Sequence, residues 1–130
     1  MDLDVVAWVH VVDGRLLAVR SRGRDLLYLP GGKREPGEDD WSAVAREVRE
    51  ELGVTLDRPS FERLGVLRAP AHDQPGHSHV RMACFTAGHF GEITARGEVD
   101  EFRYVGRADR SLLAPASAAA FDLAAEHGLL

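Results

Sequence analysis

The sequence has little of several features that would assign a protein to the secreted or membrane classes. It contains one cysteine, Cys84, within the apolar residues 82–85. Internal disulfides are therefore excluded, and we expect a buried thiol in a reducing compartment. No apolar run is long enough to span a bilayer, and no segment has the form of a signal or transit peptide. We expect a cytoplasmic protein with no membrane partner.

An excess of positive charge is also missing. The formal net charge is −5 over 130 residues, which argues against binding to duplex nucleic acid, because such binding needs a basic face. A small anionic substrate remains compatible with this charge if a metal ion offsets the local field. Apolar residues make up 45% of the chain, enough for a hydrophobic core, and we expect residues 1–130 to form a single domain.

The most informative segment, residues 32–54, has the apolar spacing of a helix that packs on a core. At about 100° per residue, its apolar side chains fall within one arc roughly 100° wide. These residues are Trp41, Val44, Ala45, Val48 and Leu52. Asp39 or Asp40 can cap the N-terminus, and Gly53 suits the left-handed backbone after the last turn. The pattern predicts an amphipathic helix of about a dozen residues.

Three glutamates, Glu47, Glu50 and Glu51, share a second face of this helix, which we expect to be exposed. The simplest interpretation is a solvated surface. Two features argue against it. Glu50 and Glu51 lie in the last turn, where the helix dipole disfavours negative charge, and Glu47 is close to both like charges. Arg46 reaches Glu50 only in the less favourable order, with the basic residue first. A bound cation would remove this repulsion.

The donors in this acidic cluster (Glu47, Glu50 and Glu51) indicate a hard divalent cation. Carboxylate oxygens, a backbone carbonyl and waters suit Mg²⁺, with Mn²⁺ as a substitute. No cysteine or histidine joins the cluster, which argues against zinc. The preceding glycine loop, residues 29–33, contains Gly31 and Gly32, which lack a Cβ and let the backbone approach a metal. Taken alone, this loop would be an ordinary tight turn.

The run from residue 32 to residue 54 resembles the Nudix box, G-x5-E-x7-R-E-U-x-E-E-x-G-U, in which U is aliphatic. Every fixed position is filled, by Gly32, Glu38, Arg46, Glu47, Val48, Glu50, Glu51, Gly53 and Val54. The chain is similar to the small, MutT-like members of the Nudix hydrolase family. This resemblance implies hydrolysis of a nucleoside diphosphate that is linked to some further group.

The resemblance also implies roles for the box residues. The implied metal ligands are the Gly32 carbonyl and the carboxylates of Glu47, Glu50 and Glu51. Structural roles are implied for Glu38, Arg46 and Gly53, with Glu38 and Arg46 orienting the loop and helix. Water would attack a phosphorus in line, while metal ions polarise the phosphates.

The general base and the phosphate contacts are not fixed by the box alone. In the family the base is either a box glutamate or an acid on a loop outside the box. Our candidates, in order, are Glu98, Glu101 and Glu47. For the acidic residues 97–101 the alternative is a solubilising surface. The candidates for polyphosphate binding are Arg20, Lys33 and Arg34, each of which could instead be solvated.

The rest of the chain predicts strands and a second helix. Strands are predicted over residues 5–11, 16–20, 26–29, 61–68, 79–89 and 102–105. Asp13-Gly14 predicts a hairpin turn, residues 107–113 a turn region, and Pro115 the start of a helix over 116–126. This order predicts an α/β/α sandwich with a mixed β-sheet and two main helices, which is also the fold that the resemblance implies.

The compact chain favours a nucleoside triphosphate as substrate, hydrolysed to the monophosphate and pyrophosphate. ADP-ribose or a nucleotide sugar is the alternative, because Pro70 matches a position where ADP-ribose hydrolases of the family often carry proline. A non-catalytic nucleotide sensor is the alternative of another class, although such proteins commonly lose a box glutamate. The histidines near the expected pocket, His72, His77 and His79, are loop polar groups or contacts to the base or ribose. A homodimer is compatible with the family.

Overall fold

The computed structural model describes residues 2–72 and 74–130. Within these ranges the strands are β1 (Asp2–Trp8), β2 (Val11–Val12), β3 (Arg15–Ser21), β4 (Gly31–Lys33), β5 (Thr55–Leu56), β6 (Glu62–Pro70), β7 (His79–Thr86), β8 (His89–Phe90) and β9 (Val99–Val105). The main helices are α1 (Asp40–Leu52) and α2 (Pro115–Glu126), and short 3-10 turns cover Arg58–Ser60 and Arg107–Leu112. Neither main helix has the length and apolar character needed to cross a membrane.

A four-stranded mixed sheet organises the fold, in the order β4-β1-β7-β6. Strand β1 is parallel to β7 and antiparallel to β4, and β6 is antiparallel to β7. A second sheet, β2-β3-β9, is antiparallel, and β5 pairs with β8. The predicted tight turn at Asp13 and Gly14 joins β2 to β3, with φ angles of 51° and 72°.

Two hydrophobic cores lie on opposite faces of β1, because successive side chains of a strand point to opposite faces. Leu3, Val5 and Ala7 pack in the core that α2 covers. Val6 and Trp8 pack in the core that α1 covers. Helices on both faces of a mixed sheet form the α/β/α sandwich that the sequence predicted.

The lone cysteine belongs to the core beneath α2. Cys84 is fully buried, and burial raises the pKa of its thiol to about 12. A thiol with such a pKa carries almost no thiolate at neutral pH and is a poor nucleophile. The prediction that Cys84 is a packing residue is confirmed.

Helix α1 has the ends that its sequence predicted. The Asp39 carboxylate accepts a hydrogen bond from the Ser42 backbone N–H at 2.8 Å, which satisfies one of the free donors in the first turn. Gly53 follows the last turn in the left-handed conformation, with φ of 72°. Its N–H donates to the Arg49 carbonyl at 3.0 Å. Both ends of the helix are therefore determined by local side-chain and backbone chemistry.

The buried face of α1 differs from the prediction at two positions. The buried residues are Ala43, Val44, Val48 and Leu52. Trp41 and Ala45 are only partly buried, and Trp41 packs edge-on against Phe61 with ring centroids 5.2 Å apart. The spacing of apolar residues gives the width of the stripe, but the packing of α1 on β1 and β4 determines where the stripe is centred.

The strand predicted over residues 26–29 is wrong. Leu27 and Tyr28 form only isolated bridges, because the backbone hydrogen bonds of this segment are divided between Val19 on β3, the turn before α2 and α2 itself. For example, the Leu29 N–H donates to the Ser117 hydroxyl at 2.9 Å, and Ser117 is fully buried. The glycine loop, which we expected to be a loop that lets the backbone approach a metal, contributes β4 to the edge of the four-stranded sheet.

Several strand boundaries also differ from those predicted. Strand β1 ends at Trp8 instead of continuing to residue 11, β6 extends to Pro70, and β7 ends at Thr86 before the separate strand β8. Asp100 and Glu101, which we expected in a loop, belong to β9. They lie in a strand because β9 is paired along its length with β3.

Candidate active site

Helix α1 places two carboxylates of the acidic cluster, those of Glu47 and Glu51, against the backbone of the glycine loop. A Cβ added to Gly32 would lie 2.7 Å from the carboxylate carbon of Glu47, so this carboxylate rests directly on the loop. The Gly31 N–H donates to Glu51 Oε1 at 3.2 Å. Any side chain at residue 32 would displace Glu47, which is a physical reason for glycine at this position.

The acidic face of α1 is less exposed than we predicted, because β4 packs over it. The Glu47 side chain is only 17% exposed, and burial raises the pKa of Glu51 well above the usual carboxyl value. The neighbouring Glu47 carboxyl raises the pKa of Glu51 further, and the Gly31 N–H offsets part of this shift. Two adjacent, partly buried carboxyls would repel each other strongly if both were ionised, and a cation would relieve that repulsion.

Arg46 links the box residues to one another. Its guanidinium donates two hydrogen bonds to Glu38, at 2.7 and 2.9 Å, and one to the Lys33 carbonyl at 3.1 Å. It also donates to Glu47 at 2.9 Å and to Glu50 at 2.7 Å. The Arg46 guanidinium lowers the pKa of Glu38, and the surrounding carboxylates raise the pKa of Arg46. This network fastens the loop after β4 to the helix.

The three carboxylates of the acidic cluster do not all converge on one point. Glu50 is turned towards Arg46, and its side chain is 55% exposed. Within residues 2–72 and 74–130, no three carboxylate, imidazole or thiolate side chains form a ready set of metal ligands. Glu47 and Glu51 nevertheless meet the loop backbone, and the available donors there are all oxygens. This chemistry fits a hard cation such as Mg²⁺, and an exposed Glu50 can join by rotation about its own side-chain bonds.

The basic residues predicted to bind phosphates are not gathered at one place. Arg20 lies on β3 and pairs with Glu101 on β9 at 2.7 Å. Arg34 forms ion pairs with Asp40 at 2.6 Å and with Asp4 at 3.2 Å. Lys33 is exposed at the end of the glycine loop. Arg34 therefore ties the loop to the start of α1, and Lys33 directly follows Gly32, the residue against which the Glu47 carboxylate lies.

Residues 94–97, which precede Glu98 and β9, contact the C-terminal end of α1. The Arg96 N–H donates to the Glu51 carbonyl at 2.9 Å, and a Cβ added to Gly97 would lie 3.4 Å from the Glu50 carbonyl oxygen. Glu98 follows directly and is exposed. Glu98 is thus held near the helix end that carries the acidic cluster.

A cavity of about 170 Å³ lies beside the same loop and helix. Gly31, Gly32 and Glu51 form one part of its wall. The rest is largely apolar, including Val5, Val19, Leu29, Met82 and Ala116. Such a cavity far exceeds the 10–15 Å³ or so that accommodates one water molecule. It provides an apolar site for a ring next to the polar site at the glycine loop.

Sequence reasoning missed several polar residues of this cavity. They are Ser21, Arg24, Tyr28 and Gln74. Because these residues come from three separate segments of the chain, no local pattern could have identified them. His72 also lines the cavity, as one sequence interpretation allowed, whereas His77 and His79 are not among its lining residues. His72 is bonded to Asp25 at 3.0 Å, which lowers the pKa of that exposed carboxyl.

Solved structures share this architecture. The MutT NUDIX hydrolase from Burkholderia pseudomallei is 23% identical with a TM-score of 0.75, and the likeness covers 95% of this chain and 98% of that one. The solution structure of the E. coli ORF135 protein is 25% identical with a TM-score of 0.73, covering 95% and 88% of the two chains. At these identities the likeness shows the fold.

A sequence relative and a family model identify the family of this chain. A MutT-like protein of Streptomyces ambofaciens is 47% identical over 45 residues, which are 35% of this chain and only 29% of that protein. The model of the NUDIX domain matches residues 2–125, almost the whole chain. The match includes the box, the glycine loop and the elements that form the cavity. The chain therefore belongs to the Nudix family.

Proposed function

We propose that this protein hydrolyses a nucleoside triphosphate to the monophosphate and pyrophosphate, with the base bound in the cavity. The observation that carries this proposal is the position of the cavity directly beside Glu51, Gly31 and Gly32. A nucleotide with its base in the cavity would extend its phosphates over the glycine loop and the acidic cluster. An apolar pocket with a few convergent polar groups is typical of a small-molecule site.

The proposed metal ligands are Gly32, Glu47, Glu50 and Glu51. Mg²⁺ is the proposed ion, with Mn²⁺ as a substitute, because the donors are oxygens. When bound, such an ion neutralises phosphate charge and lowers the pKa of a bound water. The protein's own contribution is to hold the oxygens of Glu47 and Glu51 at the glycine loop before substrate arrives, whereas Glu50 would join by rotating away from Arg46. The Gly31 N–H orients Glu51, and the lack of a side chain at Gly32 lets Glu47 lie on the loop.

Glu98 is the proposed general base. An attacking water would form a new O–P bond in line with the P–O bond that breaks, and its proton would pass to the Glu98 carboxylate. The leaving group, which is pyrophosphate or the nucleoside monophosphate according to the phosphorus attacked, would take the bonding electrons. The support for Glu98 is the docking of residues 94–97 on the last turn of α1. Glu101 is less suitable, because it is held by Arg20. Glu47 remains the alternative base within the box.

Substitution separates these candidates. Glu98→Gln should lower kcat by about 100-fold or more with little change in KM, because general-base catalysis contributes about 10²–10⁴-fold. Glu101→Gln provides the matched comparison in the same segment and should have a much smaller effect on kcat. An effect of Glu98→Gln on KM alone would remove Glu98 as the base.

A second candidate substrate is ADP-ribose or a nucleotide sugar. Pro70, the residue that suggested this class from the sequence, lines the cavity. The two candidates give different products: a nucleoside triphosphate would release pyrophosphate, whereas ADP-ribose would release AMP and ribose 5-phosphate. Product identification therefore decides between them.

The direct test is a substrate panel with purified protein and Mg²⁺. The panel should contain the nucleoside triphosphates, ADP-ribose and nucleotide sugars, with products separated by anion-exchange chromatography. We expect pyrophosphate and monophosphate from at least one triphosphate, loss of activity in EDTA and recovery with Mg²⁺ or Mn²⁺. Glu50→Gln should reduce turnover by orders of magnitude, and Glu62→Gln on the exposed edge of β6 serves as a control. Nucleotide binding by calorimetry without hydrolysis of any compound would refute the proposal.

A further inference from the structure

Two polar side chains of the cavity have no hydrogen-bond partner among the residues that the structure describes. They are the hydroxyl of Ser21 and the amide of Gln74, which line the cavity from β3 and from the loop between β6 and β7. Tyr28 and His72 differ from them, since they bond to their surroundings: the Tyr28 hydroxyl donates to the His72 carbonyl at 3.5 Å. Ser21 and Gln74 are therefore the side chains that remain available to a ligand.

A ligand that fills this cavity must match an amide. The Gln74 side chain offers an N–H donor and a carbonyl acceptor in one plane. A ligand that covers this amide without replacing the hydrogen bonds it makes to water would lose affinity. The best match is a planar edge that carries an acceptor next to a donor. Adenine presents this combination, with its amino group beside a ring nitrogen, and glutamine bonded to both groups is the usual protein contact to adenine.

The size and walls of the cavity fit one planar ring system. A cavity of roughly 150 Å³ holds a benzene ring, and this cavity measures about 170 Å³ with its mouth open. Tyr28 and Met82 lie in its wall and can pack against the faces of a ring. Hydrogen bonds to the ring edge must then come from the polar side chains, of which Gln74 is the one with a paired donor and acceptor.

We propose that Gln74 is a specificity-determining residue that binds the edge of an adenine base, with Ser21 as a second polar contact. This inference rests on the proposed function, because it takes the cavity as the base site. It names adenine nucleotides as the preferred substrates over guanine nucleotides. The proposed contact is to the edge of adenine that carries the 6-amino group and N7. On the corresponding edge guanine presents two acceptors, O6 and N7, so the Gln74 amide loses the two-point contact and can donate to only one of them.

The test compares ATP with GTP for three proteins. Wild type should prefer ATP by about 10-fold or more in kcat/KM, as expected for one two-point contact. Gln74→Leu should lower kcat/KM for ATP by about 10-fold and leave GTP within about twofold, which abolishes the preference. Gln74→Arg should reverse the preference, because a guanidinium donates to both O6 and N7 on the corresponding edge of guanine. Ser78→Ala, in the same loop but outside the cavity wall, should keep the wild-type ratio.

Binding of AMP and GMP by calorimetry in EDTA gives a second measurement that does not depend on turnover. The same ratios should appear in Kd. Hydrolysis of nucleotides with an ATP-to-GTP ratio unchanged by Gln74→Leu would overturn this inference and leave the proposed function intact. Failure of wild type to hydrolyse or bind any nucleotide would overturn both. Should Gln74→Leu not fold, judged by circular dichroism, the ATP-to-GTP ratio of Gln74→Arg decides.

Discussion

Replacing Glu51 with glutamine should make the metal-free protein more stable while removing its response to magnesium. Glu51 is nearly buried, and both burial and Glu47 raise the pKa of its carboxyl. Glutamine keeps an oxygen that accepts from the Gly31 N–H, which lies 3.2 Å from Glu51 Oε1, but it has no charge to desolvate. The free energy of unfolding in EDTA should therefore rise.

The pH dependence of this effect has a definite sign. Because the pKa of Glu51 is raised in the folded state above its ordinary value of 4.5, the unfolded chain loses the Glu51 proton first as pH rises. Stability contributed by the protonated carboxyl is present below about pH 4.5 and is lost as pH rises through the folded-state pKa. The increase in the free energy of unfolding that Glu51→Gln causes in EDTA should therefore be small near pH 4.5 and larger at pH 7.5.

Magnesium should make wild type more stable than Glu51→Gln, the reverse of their order of stability in EDTA. At a concentration about 100-fold above its Kd, a ligand stabilises the folded state by about 2.7 kcal/mol, which corresponds to roughly 10 °C in Tm for a chain of this size. Wild type should show this gain, and Glu51→Gln should show a small fraction of it and a turnover reduced by orders of magnitude.

Thermal unfolding followed by circular dichroism, with a magnesium titration in each protein, provides the measurement. Glu62→Gln is a suitable control, because Glu62 is exposed on β6. Two outcomes would refute the reasoning: a lower Tm for Glu51→Gln in EDTA, or an equal magnesium-dependent rise in both proteins.

Three further predictions concern the loop, the arginine network and a histidine. Gly31→Ala should lower stability by about 1–3 kcal/mol in urea unfolding, because the new Cβ would overlap the Val6 carbonyl; an unchanged midpoint would contradict this. Arg46→Lys and Glu38→Gln should each lower kcat/KM about 10-fold, with the double variant little worse than either, because both remove the same two-point contact. Full additivity in kcat/KM would show that they act separately. Burial, and to a lesser degree a second histidine, lowers the pKa of His10 to about 4 from 6.5, so the neutral ring favours the folded state and stability should fall as pH drops from 6.5 to 4. His10→Gln should flatten that decline in urea titrations, and an unaltered slope would disprove the assignment.

The helix and its ends were predictable because their determinants are local. The Asp39 cap, the left-handed Gly53 and the spacing of Val44, Val48 and Leu52 all depend on residues within a few positions of one another. The choice between Ala43 and Ala45 as the buried alanine was not local, since it depends on which neighbouring elements contact α1.

The environment of the acidic cluster was only partly predictable. The unfavourable charge spacing of Glu47, Glu50 and Glu51 indicated a cation, but the burial of Glu51 results from β4, a strand that the sequence did not reveal. Glycines have low strand propensity, so Gly31–Lys33 gave no strand signal. Their pairing with β1 is a tertiary effect.

The cavity was beyond the reach of sequence patterns. Its lining residues come from strands β1, β3, β4, β6 and β7, the segment after β3, the last turn of α1, the loop before β7 and the start of α2. Gln74 lies in a loop rich in proline, glycine and histidine, where an isolated glutamine has no periodicity to mark it. The proposed base specificity thus depends on the part of the chain where pattern-based inference is weakest.

The bond between the Leu29 N–H and the Ser117 hydroxyl connects groups that are 88 positions apart in the chain. Because Leu29 lies two residues before Gly31, the C-terminal helix helps to position the glycine loop. Changes in that helix are therefore a route by which evolution or a protein engineer could alter the proposed metal site without replacing any of its proposed ligands.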